Sequence, residues 1–328
     1  MSKTKRTKKA AGSNNIESML REDRVFKPSK EFSKQAHIGS MAQYKKLYKR
    51  SIDDPEGFWG EQAEKELTWF KPWSKVLQWK APNAKWFVGG QTNVSVNCLD
   101  RFLDSEKANQ AAIIWEGEPA APGIPGEERT LTYRQLHREV CQFANVLKAR
   151  GIKKGDVVLI YMPMVPEAAV AMLACTRIGA IHSVVFGGFA AKELATRIDD
   201  STPKAIIAGS CGIEGDRVIE YKPLLDEAIN LAKHEPEFCV VFQREQKEAI
   251  LLPDRDFDWN KLLDQKEWAD CVPVSGAHPV YILYTSGTTG QPKGVIRPTA
   301  GHLVALYWTM KNIYNVDPGD VFWAASDV

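Results

Sequence analysis

The sequence predicts an α/β protein whose parallel sheets carry crossover helices on both faces. Three observations predict it. Segments nearly continuous in apolar and β-branched residues, such as DVVLIY, KAIIAG and FCVVF, read as strands buried on both sides. Longer segments with apolar side chains at helical spacing separate them. Proline and glycine stand where those helices begin and end. Strands alternating with helices in this way require crossover connections, and these join parallel neighbours.

The opening residues 1–15, MSKTKRTKKAAGSNN, are basic and lack the apolar stretch of a secretory signal, so they read as a solvated, disordered tail. Residues 16–109 form a Trp-rich flank of the main body. Within it SMAQYKKLYKRS and DPEGFWGEQAEKEL read as short helices. In the second, Asp54 caps, Pro55 takes the first helical position and Glu56 favours the dipole. Trp59, Trp69, Trp73, Trp79 and Trp86 give this flank large apolar bodies to bury as it packs on the main body.

The alternation begins at residue 110 and runs to 328. QAAIIWEG reads as a strand and EPAAPGIPGEE as an exposed loop. In LTYRQLHREVCQFANVLKARG, Thr132 and Gln135 make a capping box, Leu136, Val140, Phe143 and Leu147 share a face, and Gly151 stops the helix. Next come the strand DVVLIYMPM and a helix from Pro166 to Gly179. IHSVVFGG, AAKELATRIDD, KAIIAGS, YKPLLDEAINLAKH and FCVVFQ continue the pattern. In such sheets ligands bind beyond the carboxyl ends of the strands.

Bulk properties narrow the partners. With 43 Lys+Arg against 41 Asp+Glu, the formal charge of +2 gives no electrostatic reason to bind nucleic acid or an anionic membrane. No apolar run approaches the ~20 residues that span a bilayer. The cysteines (Cys98, Cys141, Cys175, Cys211, Cys239, Cys271) show no metal-ligand spacing and read as small hydrophobes in a reducing compartment. A small-molecule ligand and a cytoplasmic location follow, with the mitochondrial matrix as the second location.

The chemistry sits in YILYTSGTTGQPKGVIR, residues 281–297. An apolar strand, HPVYILY, runs into a loop rich in hydroxyls and glycines, followed by a helical segment, GHLVALYWTMKNIY. Gly287, Gly290 and Gly294 let backbone N–H groups approach a phosphate. Thr285, Ser286, Thr288 and Thr289 add hydroxyl donors, and Lys293 adds a cation. The spacing is not that of a Walker A loop, because Gly294 follows Lys293 where that motif has the Mg²⁺-binding hydroxyl. This disfavours a P-loop NTPase or kinase. His302, just past the loop, falls near any phosphate bound there, but a lone histidine at a helix start reads first as a satisfied side chain. No GxSxG nucleophile elbow is present.

YTSGTTGQPKG resembles the signature loop of the adenylate-forming acyl-CoA synthetases, a superfamily that also includes luciferases and peptide-synthetase adenylation domains. KWFVGGQTNVSVNCLDR is similar to the N-terminal signature of the acetyl-CoA synthetase branch. RIGAIHSVVFGGFAAKELATRIDD is similar to the short-chain branch, and GDVFWAASDV to acetyl- and propionyl-CoA synthetases. The resemblance runs from about Arg24 onward. It implies the large domain of that fold, and an acetate- or propionate-CoA ligase of the AMP-forming kind using ATP, Mg²⁺ and coenzyme A.

The resemblance also assigns residues. Thr285, Ser286, Gly287, Thr288, Thr289, Gly290 and Lys293 would hold the ATP phosphates while pyrophosphate leaves, with Lys293 stabilising the charge. Phe186, Gly187 and Gly188, together with Glu214, Gly215, Asp216 and Arg217, would meet coenzyme A, where Arg217 forks onto its 3′-phosphate. Glu214 stands where the acetyl-type pattern has a second arginine. Arg217 has a simpler reading as half of a surface ion pair. Members of the superfamily are about twice as long, so the resemblance implies an N-terminal half without the adenine-binding motifs and small C-terminal domain. That half is expected to be inactive alone. The alternative is a non-catalytic module that binds nucleotide or coenzyme A.

Overall fold

The computed structural model describes residues 25–119, 126–215, 217–263, 268–285 and 292–326. The flank opens with α1 (Lys30–Gln35), α2 (Met41–Asp53) and α3 (Pro55–Glu66). Asp54 caps α3 through Gly57 N, with Pro55 in the first turn. β1 (Lys75–Lys80) and β2 (Asn83–Val88) form an antiparallel hairpin, followed by β3 (Gln91–Thr92) and α4 (Val94–Cys98). Trp69, Trp73 and Phe87 pack edge to face with centroids 4.8–5.6 Å apart. Trp79 departs from expectation: on the outer hairpin it stays 65% exposed.

β4 (Ala111–Glu116) is the strand QAAIIWEG, but it does not join the main sheet. It pairs antiparallel with β5 (Glu128–Thr132), a strand too polar to stand out in the sequence. α5 (Tyr133–Ala149) begins with the Thr132–Gln135 capping box. The alternation then runs as expected: β6 (Val157–Tyr161), α6 (Pro166–Ile178, closed by left-handed Gly179), β7 (Ile181–Val184), α7 (Ala191–Ser201) and β8 (Ala205–Gly209). A hairpin of β9 (Cys211–Glu214) and β10 (Arg217–Glu220) precedes α8 (Tyr221–Leu231). β11 (Phe238–Phe242), β12 (Asp256–Asp258), α9 (Trp259–Leu262), β13 (Val274–Ser275), β14 (Pro279–Thr285), β15 (Lys293–Pro298) and α10 (Thr299–Asn312) complete the described elements.

The main sheet has the order β12-β11-β8-β6-β7-β14-β15. Its first six strands are parallel, and β15 alone runs antiparallel, against β14. Alternate side chains enter two cores. Val158, Ile160, Ile207 and Val240 face α5 and α6, while Leu159, Tyr161, Ile206 and Cys239 face α7 and α8. Both faces of the sheet are thus covered, the condition for strands without a polar side.

The flank is tied on by polar bonds as well as rings. Arg177 of α6, fully buried, reaches Asp100 with both terminal nitrogens (2.8 and 2.9 Å). Asn93 Nδ2 donates to the carbonyls of Thr176 (2.7 Å) and Val272 (2.9 Å). All six cysteines are free, and burial pushes the thiols of Cys98, Cys175, Cys239 and Cys271 up to about 11 or 12, so they stay protonated. Among the described residues no helix is long and apolar enough to cross a membrane.

Candidate functional site

The loop's two shoulders are fixed by the β14–β15 ladder. Thr285 pairs with Lys293 at its mouth, and Tyr281 with Arg297 toward its base. Ser286, Gly287, Thr288, Thr289 and Gly290 lie outside the described residues. A strand, not a helix, follows the loop. The connection is too short for a parallel crossover, so the chain doubles back. The sequence hid this because KGVIRP reads as the tail of a glycine-rich loop.

Tyr284, the last residue before Thr285, is held from below. Its hydroxyl donates to Asp200 Oδ2 at 2.6 Å, and burial together with that bond pushes its pKa well above the usual phenol range. Gly294 opposite it leaves tight space for a side chain. A Cβ there would lie 3.1 Å from Ile282 Cγ2 and 3.3 Å from the Tyr284 ring. One strand over, Ser183 Oγ of β7 donates to the Ile282 carbonyl at 3.1 Å, so β14 and β7 are pinned beyond their single ladder pair.

His302 is the satisfied side chain its simpler reading expects, and it lies away from the mouth of the loop. It sits in the first turns of α10, at the base of the hairpin, with Nε2 2.9 Å from the Tyr281 hydroxyl. The ladder places that base four residues along β14 from Thr285. His302 therefore belongs to the packing of α10, and burial lowers its pKa.

The coenzyme A candidates converge on one side chain that the sequence did not single out, Tyr221. Phe186, Gly187 and Gly188 leave the carboxyl end of β7, and the β9–β10 hairpin leaves the carboxyl end of β8. A Cβ on Gly187 would sit 2.4 Å from the Tyr221 hydroxyl oxygen, and one on Gly212 also 2.4 Å from it. Two glycines thus clasp one buried ring, which joins the turn to the hairpin. No local sequence signal marks it, since Gly187 and Gly212 both lie upstream of Tyr221 and meet its ring only through the fold. Gly188 lets the Phe186 ring fold back over it, since a Cβ would meet that ring at 2.6 Å.

Arg217 and Glu214 face each other on the hairpin at 3.2 Å, with side chains 70% and 48% exposed. Gly215 turns the hairpin with φ +60°, and Asp216 lies outside the described residues. An ion pair this exposed contributes ~0–1 kcal/mol, so a phosphate can exchange for Glu214 at little cost. Sheet order gathers the segments. β7 and β14 are parallel neighbours, so the FGG turn and the chain after Thr285 start from the same edge side by side, with the β9–β10 hairpin on the same edge.

Comparisons with known proteins identify the family. The family model described as AMP-binding enzyme matches residues 104–328, and that described as acetyl-coenzyme A synthetase N-terminus matches residues 44–98. The chain belongs to the AMP-binding enzyme family. One relative, acyl-CoA synthetase short-chain family member 3, mitochondrial, from Homo sapiens, is 48% identical over 292 residues, covering 88% of this chain and 42% of its own. An acetyl-coenzyme A synthetase from Leptospira biflexa is 48% identical over 313 residues, 93% of this chain and 47% of its own. Among solved structures, acetoacetyl-CoA synthetase from Streptomyces lividans shares the fold at a TM-score of 0.77 and 24% identity, covering 87% of this chain and 44% of that one. The chain spans less than half the length of these relatives.

Proposed function

We propose that this AMP-binding family chain is the first part of an AMP-forming ligase that joins acetate or propionate to coenzyme A. The reading is carried by the pairing of Thr285 with Lys293 at the mouth of a loop that leaves the sheet beside the FGG turn. One edge thus offers groups for a triphosphate next to groups for a second phosphorylated substrate. The strand after the loop argues against a P-loop NTPase, whose phosphate loop opens a helix. The curated relatives named for short-chain acyl-CoA and acetyl-CoA synthesis support the substrate class.

A carboxylate acylates poorly, and a mixed anhydride with AMP supplies a good leaving group. In this reading the carboxylate attacks the α-phosphorus, and negative charge gathers on the departing pyrophosphate. Lys293 and the hydroxyl of Thr285, with the loop between them, stabilise that charge by position rather than by acid or base work. Mg²⁺ belongs to the proposal as the hard counter-ion of the ATP phosphates, which supply oxygen ligands together with water. Among the described residues no group of three or more His, Cys, Asp or Glu is placed to hold a metal ion. The FGG turn, Gly215 and Arg217 take the nucleotide of coenzyme A, whose thiol then displaces AMP.

Residues 1–328 expressed alone are proposed to lack turnover, because they span less than half of the curated relatives. A reducing compartment, cytoplasm or mitochondrial matrix, suits six free cysteines. The test is ATP–pyrophosphate exchange by the full-length enzyme with acetate or propionate. Exchange that depends on one of these acids supports the ligase, and exchange without any carboxylate, or none at all, overturns it.

A further inference from the structure

We propose that Arg197, Asp200 and Tyr284 form a positioning bridge that couples the shoulder of the phosphate loop to the FGG turn. The proposal rests on the ligase reading of those two segments and adds residues that the reading does not use.

The bridge is α7 itself, which starts at the FGG turn and ends beside β14. At its start the Phe186 ring meets Phe189 edge-on, centroids 5.6 Å apart, and the Phe189 carbonyl accepts from the Tyr161 hydroxyl at 3.0 Å. Two turns on, the buried Arg197 guanidinium lies 4.6 Å from the Phe189 centroid and 5.4 Å from that of Tyr284. The Glu193 carbonyl (2.6 Å) and carboxylate (3.1 Å) fix Arg197 Nη1 from one side. In the last turn Asp200 accepts from Tyr284 at 2.6 Å.

Contact is thus continuous from Phe186 through Phe189, Arg197 and Tyr284 to Asp200. A desolvated cation held between two ring faces has favourable interactions with both and little room to move. A displacement of Tyr284, whose next neighbour is the loop residue Thr285, is therefore passed to Phe189 and the turn. The Glu193 pair compensates the buried charge of Arg197 and holds it against both rings. Neighbouring substrates that must be used in order give such coupling a purpose.

The test compares wild type, Tyr284→Phe, Arg197→Met and the double variant in the full-length enzyme, with KM for ATP from pyrophosphate exchange and KM for coenzyme A from thioester formation. Tyr284→Phe is expected to raise both KM values about three- to tenfold. Arg197→Met does the same, and the double variant is no worse than the more impaired single one. A change in the ATP value alone, multiplying effects, or losses that merely track the melting temperature overturn the bridge. If wild type shows no carboxylate-dependent exchange, the ligase reading fails and deuterium uptake decides the bridge. Tyr284→Phe then raises uptake at 186–189 as well as at 283–285, and unchanged uptake at 186–189 overturns the coupling.

Discussion

Gly187→Ala should damage both stability and coenzyme A binding, and the size of the effect follows from the clasp around Tyr221. The added methyl would meet Tyr221 Oη at 2.4 Å, Cε2 at 2.5 Å and Cζ at 2.7 Å. The ring cannot simply retreat. On its far side the Gly212 Cβ position already lies 2.4 Å from the same oxygen, and the Tyr161 ring stands 5.1 Å away. Overpacking of this kind costs ~1–3 kcal/mol, or roughly 2–4 °C in melting temperature per kcal/mol for a chain of a few hundred residues. Tyr221→Phe should not rescue the variant, because the two ring carbons stay in place. Against Tyr221→Leu, which removes them, the added cost of Gly187→Ala should shrink to about 0.5 kcal/mol or less. Urea melts of the four variants give the cycle, and calorimetry with coenzyme A on the full-length enzyme should show weaker binding. A Gly187→Ala protein that melts within about 1 °C of wild type and binds coenzyme A normally would falsify the clasp.

Lys293→Met should lower kcat/KM for ATP about ten- to a hundredfold in pyrophosphate exchange, with stability changed little because the side chain stands at the exposed mouth of the hairpin. Arg217→Ala should raise KM for coenzyme A without moving the melting temperature, whereas Glu214→Arg, which replaces the competing carboxylate by a second cation, should lower it. The reverse order of those two KM values would remove Arg217 from the site. The buried cluster that pins the flank should set both pH edges of stability. Burial acts to raise the Asp100 carboxyl, but hydrogen bonds from His137 and Arg177 outweigh it and hold it at about 2, below its ordinary 3.8. That stabilisation, about 2 kcal/mol at most, is complete above pH 3.8 and is lost as pH falls through 2. Burial lowers the His137 imidazole, but the Asp100 bond outweighs it and lifts it to about 9, so its share is complete below 6.5 and lost as pH rises through 9. Asp100→Asn should flatten both limbs of a pH–urea stability profile, and a variant with unchanged limbs would rule the cluster out as their source.

Legibility in the sequence followed how local each signal was. The α5 capping box, the Pro166 start and Gly179 stop of α6, and the apolar runs of β6, β8 and β11 depend on neighbouring residues alone, and all stand where the pattern put them. Pairing was not legible. QAAIIWEG has the composition of a core strand, yet its partner is the polar ERTLT, and only the tertiary ladder separates it from the main sheet. The same gap concealed β15 and moved His302 to the wrong end of its hairpin. At the candidate site, the motif residues could be proposed from residue type and local spacing alone. Tyr221, Tyr284, Arg197 and Asp200 could not, because each matters through what it touches across the fold.

The position of β14 bears on how α7 reaches both the FGG turn and the shoulder of the candidate phosphate loop. In a parallel sheet the chain after each strand must cross back to the amino edge before the next begins, so adjacent carboxyl ends are normally far apart in sequence and meet only through space. Here β7 and β14 are neighbours although about a hundred residues separate them, and α7 is the crossover that leaves β7. A crossover packed on the sheet face runs antiparallel to its strand. Its first residues lie near the carboxyl edge, as the FGG turn requires, and its last turn falls lower along the neighbouring strand. Asp200 in the last turn of α7 nevertheless reaches Tyr284, one residue from the mouth of the loop, through its carboxylate. A Cβ on Gly294 would stand 3.4 Å from Asp200 Oδ2, in ordinary contact, so only a larger side chain there would crowd the pair. Gly294→Val should therefore push Asp200 from Tyr284 and lower the phenol's raised pKa toward its ordinary value of 10, a change that ultraviolet titration of Tyr284→Phe and wild-type backgrounds can isolate. A titration unchanged by Gly294→Val would mean that a side chain at 294 leaves the Asp200–Tyr284 pair intact.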